Sequence, residues 1–175
     1  MTSGQWKSMV IFLIAILAAG ANAHDGTVNI SGTIQDNTCE LAPDSQNKNV
    51  DMGTVAGNQF SRSGDFSPSK IFSLNLQNCG PAAREATVTF SGTSDGQNSE
   101  LFAIETEGES ASGLALGIYD QTGKRISPGA ASVGVPLKSG QVSVEMDFFA
   151  RYVSVQDNVN SGKANVTVTF VINYS

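Results

Sequence analysis

The sequence is poor in the residues that carry most chemistry. It has one histidine, one tryptophan and two cysteines in 175 residues, and only 15% of it is charged. General acid–base catalysis and Cys–His nucleophiles draw on positioned titratable groups, and structural zinc draws on clustered cysteine and histidine. With His24 alone and no C-x-x-C pair, neither has its parts. No metal, no cofactor and no enzymatic activity are expected. Basic residues are also few, ten against sixteen acidic ones, for a net charge of −6. Such a balance excludes nucleic acid and anionic membrane surfaces as expected partners. The charges are scattered and serve solubility.

Long apolar runs are missing except at the start. Met9 to Ala19 is apolar or small, Lys7 precedes it, and Ala21-Asn22-Ala23 offers an A-x-A cleavage site. This pattern is a secretory signal peptide, too short to span a hydrocarbon core of ~30 Å. Residues 1–23 are therefore the expected signal. Their loss leaves nine basic and sixteen acidic residues, a net −7, on a mature chain starting at His24. It also removes Trp6, so the mature chain has no tryptophan on which a sugar could stack. One domain of ordinary size remains.

A sustained helical period is absent as well. What recurs is alternation, the mark of strands with one buried face. Val28, Ile30, Gly32 and Ile34 alternate over 27–35, with a glycine where an apolar residue is due. A lone glycine in a strand marks a bulge or a close backbone approach. Asp36-Asn37-Thr38 is a turn, 43–48 a polar loop, and 50–55 a short strand. Residues 61–69 form a loop. Phe72, Leu74 and Leu76 alternate into Cys79, and Ala86, Val88 and Phe90 form the next strand. Leu101–Ile104 is a brief apolar segment. Residues 114–119 form a strand, with a hairpin turn at 120–123 into Arg125-Ile126. After a loop at 128–136, Val142, Val144, Met146 and Phe148 alternate into Phe149-Ala150-Arg151-Tyr152. The last stretch, 162–175, sets Ala164, Val166, Val168, Phe170, Ile172 and Tyr174 on one face. Short strands between turn clusters predict an all-β sandwich.

Catalytic motifs occur only as fragments. Gly92-Thr93-Ser94-Asp95-Gly96 fits G-x-S-x-G, but no histidine or helix follows it. Ser67-Pro68-Ser69-Lys70 fits S-x-x-K without the helix it normally opens. The sequons at Asn29 and Asn165 fall in predicted strands rather than loops. The even cysteine count in an exported chain predicts a disulfide between Cys39 and Cys79. The loop it closes is about 40 residues, worth roughly 4 kcal/mol on chain entropy.

The two ends together resemble pilins of the chaperone–usher route. Alternating Val28, Ile30 and Ile34 with Gly32 resemble the donor extension, and Cys39 follows it closely. Penultimate Tyr174, Gly162 fourteenth from the end and alternating apolar residues between them resemble the chaperone-recognition pattern. Phe149-Ala150-Arg151-Tyr152 is similar to the segment before the final strand of type 1 fimbrial subunits. The resemblance implies an incomplete immunoglobulin-like sandwich lacking its final strand, completed by donor-strand exchange. It implies a donor extension at 24–35 and a pilin domain at 36–175. Gly162, Val166, Val168, Phe170, Ile172 and Tyr174 would line the groove for chaperone or donor. The implied partners are a periplasmic chaperone, an outer-membrane usher and neighbouring subunits. The implied route runs through the periplasm to a cell-surface fimbrium. The nearest likeness is to minor or adaptor subunits. Two other readings stand beside it: a secreted immunoglobulin-like binding module with a complete sandwich, and a polymerised subunit that itself binds a glycan.

Overall fold

Nine strands, one α-helical turn and a 3-10 turn at Gly57–Gln59 build the described chain: β1 (Glu40–Leu41), α1 (Pro43–Gln46), β2 (Lys70–Gln77), β3 (Glu85–Ser91), β4 (Phe102–Ala103), β5 (Leu114–Asp120), β6 (Arg125–Ile126), β7 (Val135–Pro136), β8 (Ser143–Ser154) and β9 (Thr169–Tyr174). The computed structural model describes residues 30–32 and 38–175. The expected signal, Val28 and Ile34 lie outside the described residues.

All pairings between these strands are antiparallel. The first sheet runs β1-β2-β8-β5-β4, with β6 also on β5; the second runs β7-β3-β9. β8 is the longest strand and the axis of the first sheet. It pairs with β2 from Lys70↔Ala150 to Gln77↔Ser143, and with β5 from Leu114↔Ser154 to Asp120↔Phe148. Its alternation sends Val144, Met146, Phe148, Ala150 and Tyr152 inward, all buried. Ala86, Val88 and Phe90 of β3 face them from the second sheet and are at most 1% exposed. The Phe90 ring meets Phe148 edge-on at 5.1 Å, and Phe148 meets Phe72 at 5.6 Å. Each such ring contributes about 1.5–3 kcal/mol by leaving water, so this aromatic group joins the two layers.

β5 is buried along its whole length. Its inward residues Leu116 and Ile118 belong to the main core, while Ala115 packs outward with Leu101 and Val153. The turn after β5 is set by Asp120, whose carboxylate accepts the amides of Thr122 and Lys124. The Cys39–Cys79 disulfide ties the chain before β1 to the end of β2.

Four local expectations need correction. The loop expected at 128–136 ends in β7, which pairs with β3 through Ala86↔Val135. Residues 50–55 form no strand, because no neighbour among the described residues offers a ladder there; Met52 and Val55 still pack against the core. Part of the loop expected at 43–48 winds into α1, with Pro43 in its first turn. Ser45 is buried there and accepts the Asn75 amide. The final strand is also shorter than its alternation: only Thr169–Tyr174 is paired, because β3 ends where Ser91 meets Thr169. Of the strand expected at 27–35, residues 30–32 are described and belong to neither sheet.

Candidate functional site: an unpaired strand edge

β9 has one strand neighbour among the described residues, β3. Ser175 and Glu85 exchange both backbone hydrogen bonds, at 3.1 and 3.2 Å. Pairs in an antiparallel ladder alternate between bonded and non-bonded. The bonded set therefore continues through Asn173, Val171 and Thr169. Tyr174, Ile172 and Phe170 turn their N–H and C=O groups to the other edge, where no described strand lies.

The same three residues point their side chains into the sandwich. Yet they are only half-buried, as are Val166 and Val168 upstream, whereas Val88 and Phe90 on the adjacent strand are sealed. Phe170 touches the core through Phe90, ring centroids 6.3 Å apart. Thus the edge presents both unsatisfied backbone groups and a half-exposed apolar row. That pairing of features is what a further strand would satisfy.

Upstream of β9 the chain is held by single contacts instead of a ladder. The Glu105 amide donates to the Asn165 carbonyl, and the Thr167 hydroxyl to the Glu105 carboxylate. The Tyr152 hydroxyl donates to the Ala164 carbonyl at 2.6 Å. Lys163 exchanges bonds with Glu109 and Ala111, both 2.8 Å. Gly162 lies so near this crossing that a Cβ on it would stand 2.4 Å from the Ala111 nitrogen. A glycine is required there by backbone approach.

A cleft of about 880 Å³ opens between 49–57 and 159–167. Met52, Val55 and Phe60 form one wall, Val159, Ala164 and Val166 the other, and Leu114, Leu116 and Tyr152 lie at its floor. The structure so brings Gly162 and Val166 to the cleft, and sets Val168, Phe170, Ile172 and Tyr174 along the strand that continues from it. The opposite wall was not legible as a site. Its only signal is the apolar spacing of Met52, Val55 and Phe60 in otherwise polar sequence.

At the far end, the Tyr174 hydroxyl donates to the Cys39 carbonyl beside the disulfide. Burial raises the pKa of the Tyr174 phenol. Burial also raises that of Tyr152, and the nearby Asp51 charge adds to it. Both phenols are thereby kept neutral. Of the donor candidates, Ile30 is 93% exposed, and a Cβ on Gly32 would meet nothing within 4 Å among the described residues. Ser67 of the S-x-x-K fragment is buried, and its hydroxyl oxygen accepts the Tyr152 amide. It is part of the framework.

Comparison with known proteins gives a consistent picture. Residues 28–175 match the sequence model of the family described as fimbrial protein. The chain is 46% identical over 152 residues to the uncharacterized fimbrial-like protein YcbV of Escherichia coli (strain K12), covering 87% of each chain. It is 36% identical to the probable major fimbrial subunit LpfA of Escherichia coli O157:H7, covering 94% of this chain and 96% of that one. Among solved structures, a chain from a chaperone–usher pilus superposes with a TM-score of 0.65 at 19% identity, covering 90% of this chain and all of that one. This last likeness carries the fold alone.

Proposed function

Because the chain belongs to the fimbrial protein family, a structural and not an enzymatic family, we propose that it joins its fibre by donor-strand exchange along the open edge of β9. The observation that carries this reading is the half-burial of Phe170, Ile172 and Tyr174 on a strand whose outer edge pairs with no strand among the described residues. Strand addition at an exposed sheet edge is a general mode of recognition, and chaperone–pilin complementation is a known instance of it. In the periplasm a chaperone strand occupies the edge. At the outer-membrane usher, residues 24–35 of the next subunit replace it. Val28, Ile30 and Ile34 of that donor would bury about 5–8 kcal/mol of apolar contact before ordering costs. Backbone bonds to Phe170, Ile172 and Tyr174 fix its register.

The position in the fibre has two readings. The Phe149–Tyr152 segment favours a minor or adaptor subunit. The relative named as a major subunit favours the shaft. Immunogold labelling separates them: gold along the fibre supports the shaft, gold confined to one end the adaptor.

Deletion of residues 24–35 tests the donor role. The chaperone supplies its own strand, so the shortened subunit is expected to co-purify with the chaperone. It should then fail to enter a neighbour's groove. A complete sandwich, the competing module, would instead lose an integral strand and not fold. Continued donation by the shortened chain, or its failure to fold with chaperone present, defeats the proposal.

A further inference from the structure

Arg151 stands on the outer face of β8, between the buried, inward-facing Ala150 and Tyr152. Its guanidinium is stacked between two rings, 4.2 Å from the Phe66 centroid and 4.1 Å from that of Tyr119. Gly117, its partner across the β5–β8 ladder, makes this possible. The Tyr119 ring lies back over Gly117, 2.8 Å from where a Cβ would stand. Among the described residues Arg151 has no carboxylate and no hydrogen-bond partner, whereas nearby Arg125 is paired with Glu100. Only Nε is buried without a partner, so the two terminal nitrogens remain reachable.

We propose that the depression around Arg151 binds a sugar bearing a carboxylate. Contact with the Phe66 and Tyr119 rings holds the guanidinium in place. The free edge is then pre-set for two parallel hydrogen bonds to a planar carboxylate. The depression is about 360 Å³, at the small end of ligand sites and matched to one sugar ring. Gln97 and Asn98 line it with amides for hydroxyl groups, and the half-exposed Phe66 ring offers an apolar face. Arginine is not needed to hold the loop that carries Phe66. Gly64 donates to the Ser154 carbonyl, Ser154 to the Asp65 carbonyl and Ser67 to the Tyr152 carbonyl. A cation left unpaired on a chain of net charge −6 is a local attraction for an anion that the rest of the surface repels.

Saturation-transfer NMR on fimbriae carrying the full subunit tests this, with D-glucuronate, D-glucose and acetate as probes. Glucuronate ring protons are expected to receive saturation, glucose far less, and acetate should displace glucuronate poorly. Arg151→Gln should weaken glucuronate binding by about tenfold, the worth of one charge-assisted hydrogen bond. Arg151→Lys keeps the charge but loses the fork, and should weaken it too. Equal transfer to glucose and glucuronate in the unaltered protein overturns the proposal. So does acetate competing as well as glucuronate itself, or unchanged binding in Arg151→Gln. The three-probe comparison decides the matter even where a variant does not assemble.

Discussion

The Tyr174 hydroxyl donates to the Cys39 carbonyl at 3.1 Å, tying the last core-facing residue to a half-cystine 135 positions earlier. The Cys39–Cys79 bond anchors that point to the end of β2. At the other end of the groove, Lys163 is fixed to Glu109 and Ala111. The open edge of β9 is therefore suspended between two fastened ends. A groove held in this way would keep its shape while one strand leaves and another enters, as the proposed exchange requires.

The phenols of Tyr174 and Tyr152 predict an alkaline weakness. Burial raises both pKa values above the ordinary 10.0. A raised native pKa means that the unfolded chain releases the proton first. Stability is then complete below pH ~10 and falls as pH rises through the native values. Urea midpoints measured from pH 8 to 11.5 should decline at the upper end. Tyr174→Phe should lower the unfolding free energy at neutral pH by about 0.5–1.5 kcal/mol for the lost hydrogen bond, and the midpoint with it. It should also flatten the alkaline decline. A decline of unchanged steepness in Tyr174→Phe and Tyr152→Phe alike would remove the phenols as its cause.

Gly162 predicts a packing defect. A methyl group there would meet backbone atoms of Ser110 and Ala111 at 2.4 Å, and backbone cannot rotate aside as a side chain can. Gly162→Ala is expected to cost about 1–3 kcal/mol, the usual range for overpacking. Gly96→Ala is the control, since nothing lies within 4 Å of its Cβ position. Chemical denaturation of the two variants should separate them clearly. Equal midpoints would show that Gly162 is replaceable and that its place near the end of the chain has another reason.

The sequence disclosed strands wherever both faces of the pleat have a settled fate. Leu74, Leu76, Val88, Phe90, Met146 and Phe148 alternate with polar residues and all are buried. The overextended strands occur where pairing, not burial, is the missing ingredient. Met52 and Val55 are apolar and touch the core, yet 50–55 has no ladder neighbour among the described residues and stays out of the sheets. Residues 164–168 alternate as cleanly as 169–174 and are unpaired for the same reason. Periodicity reports which side of a segment meets apolar surface; it is blind to whether a ladder exists beside it. The Gly162 position was legible only through resemblance, and its physical cause appears only with the crossing of 109–111. The Arg151 stack was not legible, because Phe66 and Tyr119 are brought to it from distant segments.

Phe170 predicts a loss that depends on the occupant of the edge. Its ring is half-exposed in the subunit alone and would become buried under a chaperone or donor strand. Phe170→Ala should therefore cost less without the added strand than with it. In the filled state the loss should approach about 3–5 kcal/mol, as for other buried phenylalanines. With Tyr174→Ala added, the subunit should be degraded in the periplasm instead of co-purifying with its chaperone. Recovery of the double variant at the level of the unaltered chain would count against β9 as the acceptor strand.

Gly32 separates donation from folding. It occupies an apolar position in the alternation of 27–35, and among the described residues a Cβ on it meets nothing within 4 Å. In a neighbour's groove the same position would face the row of Val168, Phe170 and Ile172. A glycine set among apolar donors implies a shallow point where the facing side chains fill the space. Gly32→Leu should thus leave the chaperone complex intact, since the chaperone brings its own strand. It should slow or stop entry into the next subunit's groove, because an extra buried side chain in a filled site costs about 1–3 kcal/mol. Gly32→Ala should have a smaller effect in the same direction. The measurement is exchange of full-length donor peptides, residues 24–35, into a chaperone-bound subunit, followed by native gel. Leucine and glycine peptides entering at equal rates would show that Gly32 faces open space in the acceptor and does not tune the exchange.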